Sequence, residues 1–194
     1  MQISTDEQQR QTIRQQILIQ RKQLNEQALQ SSSEKLLHHC KPFLQQCKTV
    51  AGYQAMGGEI PLTPVFDYCQ SQGMTTLLPI MQGKELTFAP FDRYTTFETR
   101  QFGILEPTVS PSSFIQPNDI DIVLVPLVAF DNTGNRIGMG GGFYDRSFAL
   151  RKENAPPPVL IGVAHAFQQV DSVFAQTWDV QLDSVVTDEG VIGQ

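Results

Sequence analysis

The sequence lacks several features that would place it in other classes of protein. No apolar run approaches the roughly 20 residues that a membrane-spanning helix needs, so a membrane protein is excluded. The start of the chain, M-Q-I-S-T-D-E-Q-Q-R, has neither the apolar core of a secretion signal nor the character of a transit peptide, which predicts a cytoplasmic protein. An excess of basic residues is also lacking. The net charge of −6 argues against general nucleic-acid binding, because that mode of binding depends on a basic face.

Cysteine is scarce as well. The three cysteines, Cys40, Cys47 and Cys69, are odd in number and do not have the paired spacing of zinc ligands, although His38 and His39 lie nearby. This pattern favours buried thiols in a reducing compartment over a metal site.

The sequence does contain enough apolar residues for a continuous core. Of the 194 residues, 40% are hydrophobic and 18% are charged, as is ordinary for a soluble globular protein. We predict one domain over 1–194, with N-terminal helices at 4–47 and an α/β core at 48–194. We also expect the protein to be a monomer.

Periodicity predicts the order of the secondary structure. Ser4 and Glu7 have capping-box spacing at the start of a helix over 4–23, and Asn25 can cap a second helix over 25–46, which Pro42 should bend or end. Strands are then predicted at 49–56, 75–80, from 121, at 159–164 and at 185–187, with helices at 63–73 and 144–152, a hairpin arm at 83–91 and an irregular loop at 93–118. This alternation is typical of a mostly parallel or mixed sheet with helices on both faces, which binds ligands outside the carboxyl ends of its strands.

Three arginines form a ridge on the first predicted helix. Arg10, Arg14 and Arg21 lie within about 40° of one another and about 60° from the apolar stripe. Spacing alone leaves two interpretations open: a solvated basic edge, or a guanidinium clamp over a nucleotide phosphate.

The most informative segment is 121–145. It reads as a buried apolar strand that leads into a loop with Gly138, Gly140, Gly141 and Gly142, after which a helix can begin. Glycines let backbone N–H groups approach an anion closely, and the following helix adds its positive dipole end. The spacing is neither that of a Walker A loop nor that of the dinucleotide fingerprint, so a glycine-rich turn without a ligand remains an alternative.

Carboxylates are the candidate partners of a metal or a substrate. An unpaired Asp145 about 4 Å from one phosphate charge would cost on the order of 4 kcal/mol at an effective dielectric of about 20, so it would face a phosphate through Mg²⁺. Glu59 could accept hydrogen bonds from a donor-rich heterocycle or could simply face solvent. Asp179 and Asp183 are expected to be exposed acids. Phe143 and Tyr144 could stack on a ring or pack inside the protein.

The run R-I-G-M-G-G-G-F-Y-D at 136–145, preceded by V-P-L-V-A-F-D, strongly resembles the signature of 5-formyltetrahydrofolate cyclo-ligases, also called 5,10-methenyltetrahydrofolate synthetases. The resemblance extends over nearly the whole chain. It includes R-Q-T-I-R at 10–14, Glu59, L-L-P-I at 77–80, F-G-I-L-E-P at 102–107 and W-D-V-Q-L-D-S-V-V-T at 178–187.

The resemblance implies a single three-layer Rossmann-like α/β domain and a ligase that acts on small molecules. The family uses ATP and Mg²⁺ to close 5-formyltetrahydrofolate into 5,10-methenyltetrahydrofolate, with release of ADP and phosphate. The formyl oxygen would be phosphorylated to an imidate phosphate, which the neighbouring amine attacks. Such chemistry needs alignment and charge neutralisation, which agrees with the lack of a Ser–His or Cys–His pattern.

The resemblance also implies which residues form the site. ATP would be bound by Arg10, Arg14, Arg136, Gly138, Met139, Gly140, Gly141, Gly142, Phe143 and Tyr144. The folate would contact Gln54, Glu59, Met139, Gly140, Gly141, Gly142 and Phe143. Mg²⁺ would be held by Asp145 and Asp179, and the catalytic residues would be Arg136, Tyr144 and Asp145.

Two positions depart from the family pattern. Gly141 stands where some members carry lysine, so one cation near the phosphates is missing, and Trp178 precedes Asp179 where histidine is frequent. Two other functions remain open: a non-catalytic folate or nucleotide binder, and a phosphosugar isomerase on a similar fold, for which no well-placed general base stands out.

Overall fold

A seven-stranded sheet forms the centre of the molecule, which a computed structural model describes over residues 5–100 and 103–193. The strands are β1 Thr49–Ala51, β2 Thr75–Gln82, β3 Glu85–Pro90, β4 Phe97–Thr99, β5 Leu105–Pro107, β6 Ile122–Pro126, β7 Ala129–Phe130, β8 Arg136–Ile137, β9 Val159–Ala164, β10 Ser184–Thr187 and β11 Val191–Ile192. The central sheet has the order β11-β10-β9-β6-β1-β2-β3. Its five inner strands are parallel, and the edge strands β3 and β11 are antiparallel to their neighbours.

The helices are α1 Thr5–Arg21, α2 Glu26–Leu44, α3 Thr63–Ser71 and α4 Phe143–Ser147, with short 3-10 turns at Pro111–Ser113, Pro117–Asp119, Ala149–Lys152 and Ala166–Gln168. The strands β4 and β5 form one small hairpin outside the central sheet, and β7 and β8 form another. Across the described part of the chain, none of these helices is long and apolar enough to cross a membrane.

Alternate residues of the inner strands enter two hydrophobic clusters, one on each face of the sheet. In β6, Ile122 and Leu124 pack on the face covered by α2 and α3, whereas Val123 and Val125 pack on the opposite face. Phe148, just after α4, closes the second face and is 1% exposed. The predicted α/β fold with a mostly parallel sheet is therefore confirmed.

Helix α1 packs on the β7–β8 hairpin. Ile17 lies in a small cluster with Val128, Ala129 and Ile137. Because β8 leads directly into the glycine loop, this packing brings the arginine ridge of α1 to the same end of the molecule as the loop.

Several predicted elements are confirmed with close bounds. The strand β9 matches the prediction at 159–164, the β2–β3 hairpin is present, and the N-cap of α2 is Asn25, whose side chain accepts a hydrogen bond from Ala28 N at 2.9 Å. Pro42 lies inside α2, which ends two residues later. Ser4 and Phe102 lie outside the described residues.

Other predicted boundaries are wrong. The strand predicted at 49–56 ends at Ala51, and the chain continues as a loop that turns at Gly57 and Gly58, where φ is positive. The helix predicted at 144–152 is interrupted at Phe148, whose backbone leaves the α-helical conformation, and the rest of it is the 3-10 turn Ala149–Lys152. The segment from 121 is not one strand leading into the glycine loop, since the β7–β8 hairpin intervenes, and the loop at 93–118 contains the β4–β5 hairpin. The strand predicted at 185–187 is followed by β11.

The cysteines follow the prediction in part. Cys40 and Cys69 are buried and Cys47 is half-buried, and all three are free thiols. Burial raises the pKa of the Cys40 and Cys69 thiols to about 12, so they are protonated at neutral pH and act as core residues.

Candidate active site

The glycine loop connects β8 to α4. Gly140 and Gly142 have φ values of 95° and 63°, a backbone conformation that favours glycine. A Cβ atom added at Gly138 or Gly140 would meet no other atom within 4 Å, so the loop backbone is open on its outer side. Within the described chain, no amide N–H group of residues 138–142 donates a hydrogen bond, which leaves these donors available to a ligand.

Two arginines hold the loop at its start. Arg14 donates from Nε to the Gly138 carbonyl at 3.0 Å, and its side chain is 12% exposed. Arg136 is buried, donates to the Val180 carbonyl, and forms an ion pair with Asp145 in which Nη2 lies 2.7 Å from Oδ1. The loop is therefore fixed to α1 on one side and to the C-terminal segment on the other.

The prediction that Asp179 and Asp183 are exposed acids is wrong. Asp179 Oδ2 accepts hydrogen bonds from Arg10 Nη1 at 2.8 Å and from Gln176 N at 2.9 Å, and the Asp179 side chain is 8% exposed. Asp183 is paired with Arg151, whose Nη2 lies 2.6 Å from Oδ1, and accepts a hydrogen bond from Leu160 N. Both carboxylates bind guanidinium and backbone N–H groups, which compensates for their burial.

The arginine ridge is not a solvated edge. Arg10 and Arg21 are buried, with 6% and 2% exposure, and their guanidinium groups bind other parts of the protein. Arg10 Nη1 also donates to the Phe174 carbonyl at 3.0 Å. Arg14 is the most exposed of the three and the one that contacts the glycine loop.

The structure brings the two predicted metal ligands to one region. Asp145 Oδ1 accepts a hydrogen bond from Val180 N at 3.1 Å, and Val180 follows Asp179 in the chain. The second carboxylate oxygen of each aspartate forms no hydrogen bond within the described residues. No cluster of three or more potential metal-ligating side chains is found in the same residues. The pair fits Mg²⁺, which commonly takes one or two carboxylates and completes its shell with water and substrate phosphate.

Glu59 lies in a loop that follows the carboxyl end of β1, and it does not face solvent. Its Oε2 accepts a hydrogen bond from Met56 N at 2.9 Å, and Oε1 lies 3.3 Å from Nη2 of Arg21. Burial raises the pKa of Glu59 above its ordinary value, although the Met56 N–H and Arg21 act in the opposite direction. This carboxylate is only 16% exposed and is prepared to bind a hydrogen-bond donor.

Tyr144 follows the glycine loop and lies in α4. Its ring stacks on Phe148 at 6.1 Å between centroids, so the ring packs inside the protein. The hydroxyl oxygen is buried and has no hydrogen-bond partner among the described residues. Burial, and then the charge of Glu59, raise the pKa of Tyr144. A buried hydroxyl without a partner is rare and indicates a position where a ligand can bind.

The remaining predicted residues lie around these two loops. Gln54 is half-buried and, together with Tyr53 and Phe66, lines a groove of about 480 Å³. Met139 is 68% exposed, and the Phe143 ring packs against Gly141 and beneath the Arg146 guanidinium.

Two residues that sequence reasoning left out of the site contact the Glu59 loop. Arg21 donates to the carbonyls of Met56 at 2.7 Å and Gly57 at 3.0 Å, and His165 Nε2 lies 3.0 Å from the carbonyl of Gly58. Arg21 belongs to the predicted ridge, but its spacing did not show that it contacts this loop. His165 directly follows β9, and a position at the carboxyl end of a parallel strand was the available signal.

Replacing Gly58 with alanine is expected to lower the free energy of unfolding by about 2–4 kcal/mol, which combines backbone strain with a steric clash. Gly58 has a φ of 81°, and its new Cβ would lie 2.5 Å from the Arg21 carbonyl oxygen. Gly57→Ala is the matched control, because its φ is 54° and its nearest atom is 3.8 Å away. Urea denaturation of both variants measures the difference, and equal losses would contradict the close approach.

Comparison with known proteins identifies the family of this chain. The family model of the 5-formyltetrahydrofolate cyclo-ligase family matches residues 6–188. A 5-formyltetrahydrofolate cyclo-ligase of Haemophilus influenzae is 33% identical over 184 residues, which cover 92% of this chain and 97% of that protein.

Solved structures are similar over most of their length. A 5,10-methenyltetrahydrofolate synthetase of Aquifex aeolicus has a TM-score of 0.80 and 31% identity, and the match covers 95% of this chain and 92% of that one. The corresponding synthetase of Mycoplasma pneumoniae has a TM-score of 0.72 and 27% identity, covering 92% and 98%. The predicted family is thus confirmed, and the chain belongs to the 5-formyltetrahydrofolate cyclo-ligase family of ligases.

Proposed function

We propose that this protein uses ATP and Mg²⁺ to cyclise 5-formyltetrahydrofolate to 5,10-methenyltetrahydrofolate, with release of ADP and phosphate. The observation that carries the proposal is the glycine loop, whose amide N–H groups donate no hydrogen bond within the described chain. Tyr144 directly follows this loop, and its buried hydroxyl has no partner among the described residues. A phosphate donor on the loop would react with a heterocycle held by Glu59.

The glycine loop suits the phosphates of ATP. The amide N–H groups of residues 138–142 donate no hydrogen bonds within the described chain, and Gly138 and Gly140 leave space for an anion to approach. Arg14 and Arg136 supply positive charge at the start of the loop. Met139, Phe143 and Tyr144 would also contact ATP. Arg10 would act indirectly, by holding Asp179 in place, because its guanidinium is already bound to this carboxylate.

Asp145 and Asp179 would hold Mg²⁺ through the carboxylate oxygens that their arginine partners leave without a hydrogen bond. Bound there, the ion would neutralise phosphate charge. Arg136 binds Oδ1 of Asp145, and Arg10 binds Oδ2 of Asp179. These contacts orient each carboxylate and so fix the position of its other oxygen.

The folate would bind on the opposite side of the loop. Its reduced pterin carries several adjacent N–H groups, which complement the Glu59 carboxylate. Arg21 restrains this carboxylate, and Gln54 lies at the entrance to a groove lined by aromatic rings. Glycine loop residues Met139 to Phe143 would close over the formyl group.

The reaction requires the formyl oxygen to become a leaving group. Transfer of the terminal phosphate of ATP to this oxygen would give an imidate phosphate and ADP. The amine at position 10 of the folate would attack the imidate carbon, and it would lose its proton as the C–O bond breaks to release phosphate. Arg136 and the loop amides would stabilise the charge on the transferred phosphate. The Tyr144 hydroxyl would donate to an oxygen of the bound substrates.

A single assay tests this proposal. Protein, 5-formyltetrahydrofolate and Mg-ATP are mixed, and the near-ultraviolet absorbance of the methenyl product is followed over time. An increase that requires ATP and is abolished by EDTA is the expected result. Tight folate binding without an ATP-dependent increase would instead identify a binding protein that does not catalyse the reaction.

Arg14→Ala is expected to raise the KM for ATP about tenfold, because a hydrogen bond to a charged group is worth roughly 1.5–3 kcal/mol. The KM for 5-formyltetrahydrofolate should change less than about twofold. Arg100→Ala is the control, since Arg100 is exposed and pairs with Glu98 on the β4–β5 hairpin. An unchanged KM for ATP would show that Arg14 only supports the loop.

A further inference from the structure

His165 connects the sheet to the Glu59 loop. It directly follows β9, its side chain is 2% exposed, and its ring stacks on Phe167 at 5.2 Å between centroids. Its Nε2 lies 3.0 Å from the carbonyl oxygen of Gly58. Because a carbonyl only accepts hydrogen bonds, this contact requires a proton on Nε2.

Asp188 lies behind the ring of His165. Its Oδ2 is 3.8 Å from Nδ1 of His165 and accepts a hydrogen bond from Ser32 Oγ at 2.8 Å, while Oδ1 accepts from Ala166 N at 2.9 Å. Although burial raises it, the contacts with His165, Ala166 and Ser32 hold the pKa of Asp188 well below its ordinary range. Asp188 is therefore a fixed negative charge beside the imidazole ring.

The three side chains are not arranged for nucleophilic catalysis. Ser32 donates to Asp188 and not to His165, and the histidine proton points to a backbone carbonyl. A nucleophilic serine requires a hydrogen bond to the base itself. The contact of these three side chains with the candidate site is the hydrogen bond from His165 to the Glu59 loop.

That loop is held at three successive carbonyl groups. Arg21 binds the carbonyls of Met56 and Gly57 from α1, and His165 binds that of Gly58 from β9. The next residue is Glu59, whose carboxylate accepts a hydrogen bond from Met56 N. The backbone of residues 56–58 therefore determines where the Glu59 carboxylate lies.

We propose that His165 is a positioning residue for the folate site, because it fixes Gly58 and through it the Glu59 carboxylate. This inference rests on the proposed function, in which Glu59 binds the heterocycle. Preorganisation of this kind acts by removing the cost of ordering the loop when ligand binds.

The test compares His165→Leu with His165→Gln in the full-length protein. Leucine keeps apolar bulk without a donor, whereas the glutamine amide can donate to the Gly58 carbonyl. Calorimetric titration with 5-formyltetrahydrofolate, in the absence of ATP, gives the Kd. Amide hydrogen exchange of the ligand-free protein reports on residues 56–59 independently of any ligand.

His165→Leu should weaken 5-formyltetrahydrofolate binding about three- to tenfold, as expected for one lost hydrogen bond. It should also speed amide hydrogen exchange at Met56 and Glu59 and leave the KM for ATP unchanged. His165→Gln should restore both the folate affinity and the slow exchange. Thermal unfolding of both variants confirms that they are folded at the assay temperature.

Unchanged exchange and affinity in His165→Leu would overturn the proposal, as would a glutamine variant as impaired as the leucine variant. Glu59→Gln separates this failure from that of the proposed function. If Glu59→Gln binds folate normally, then Glu59 has no role in folate binding and the positioning role is overturned with it, even where exchange is faster in His165→Leu.

Discussion

Replacing Arg136 with methionine is expected to lower the free energy of unfolding by about 3 kcal/mol and to abolish ATP-dependent turnover. The Arg136 guanidinium lies 2.7 Å from Asp145 Oδ1, and the two side chains are 5% and 24% exposed. Methionine keeps the aliphatic packing but leaves the carboxylate without its cation. Removing one partner of a buried ion pair costs about 3–5 kcal/mol, and the partial exposure of Asp145 places this pair at the lower end.

The double variant Arg136→Met/Asp145→Asn identifies the source of this loss. If the unpaired charge of Asp145 causes it, neutralising Asp145 restores part of the stability, although turnover stays absent. Arg146→Met is the matched control, because Arg146 is exposed, donates to the carbonyls of Lys84 and Gly141, and has no carboxylate partner among the residues that the structure describes. It should cost less than about 1 kcal/mol. Urea denaturation measures the loss in each variant. A similar loss of stability in Arg136→Met and Arg146→Met would argue against the ion pair as its cause.

Glu59→Gln is expected to weaken 5-formyltetrahydrofolate binding about 10- to 100-fold, while ATP binding changes less than about twofold. The substitution keeps the shape of the side chain and removes the charge that would accept hydrogen bonds from the heterocycle. Hydrogen bonds to charged groups are worth roughly 1.5–3 kcal/mol, which sets the size of the effect. Titration calorimetry with each substrate measures it.

The same substitution should not lower stability at neutral pH. Burial raises the pKa of Glu59, so the folded state binds the proton more tightly than the unfolded chain. The charged form of Glu59 therefore destabilises the folded state at pH values above the ordinary pKa of glutamate. This destabilisation is lost as the pH falls through the folded-state pKa of Glu59. Glutamine removes the penalty, and Arg21 keeps its bonds to the carbonyls of Met56 and Gly57. Glu98→Gln, on the exposed β4–β5 hairpin, is the control.

A loss of stability in Glu59→Gln at neutral pH would show that the ion pair with Arg21 outweighs the cost of burial. Unchanged folate affinity would remove Glu59 from the binding site altogether. The two measurements are independent, since one concerns the free protein and the other the complex.

The fold was largely predictable because its longer elements have strong periodicity. The strand β9 is a continuous apolar run between a proline cluster and a polar segment, and its bounds agree with the prediction. The β7–β8 hairpin and β11 contain only two-residue strands, which are too short to show any alternation. Their pairing is set by tertiary contacts and could not be derived from local sequence.

The glycine-rich segment and the family it indicates were predictable from the sequence, but the partners of the charged residues around it were not. The ion pair between Arg10 and Asp179 joins residues 169 positions apart. A helical wheel places Arg10, Arg14 and Arg21 on one ridge but cannot show what covers that ridge. The structure shows three different environments for them: the C-terminal segment, the glycine loop and the Glu59 loop.

The most direct test of the proposed reaction follows the formyl oxygen of the substrate. The protein is incubated with Mg-ATP and 5-formyltetrahydrofolate whose formyl group carries heavy oxygen, and the released phosphate is analysed by mass spectrometry. Phosphorylation of the formyl group predicts one heavy oxygen in each phosphate released, in step with methenyl product. Methenyl product accompanied by unlabelled phosphate, with the label recovered in water, would contradict it.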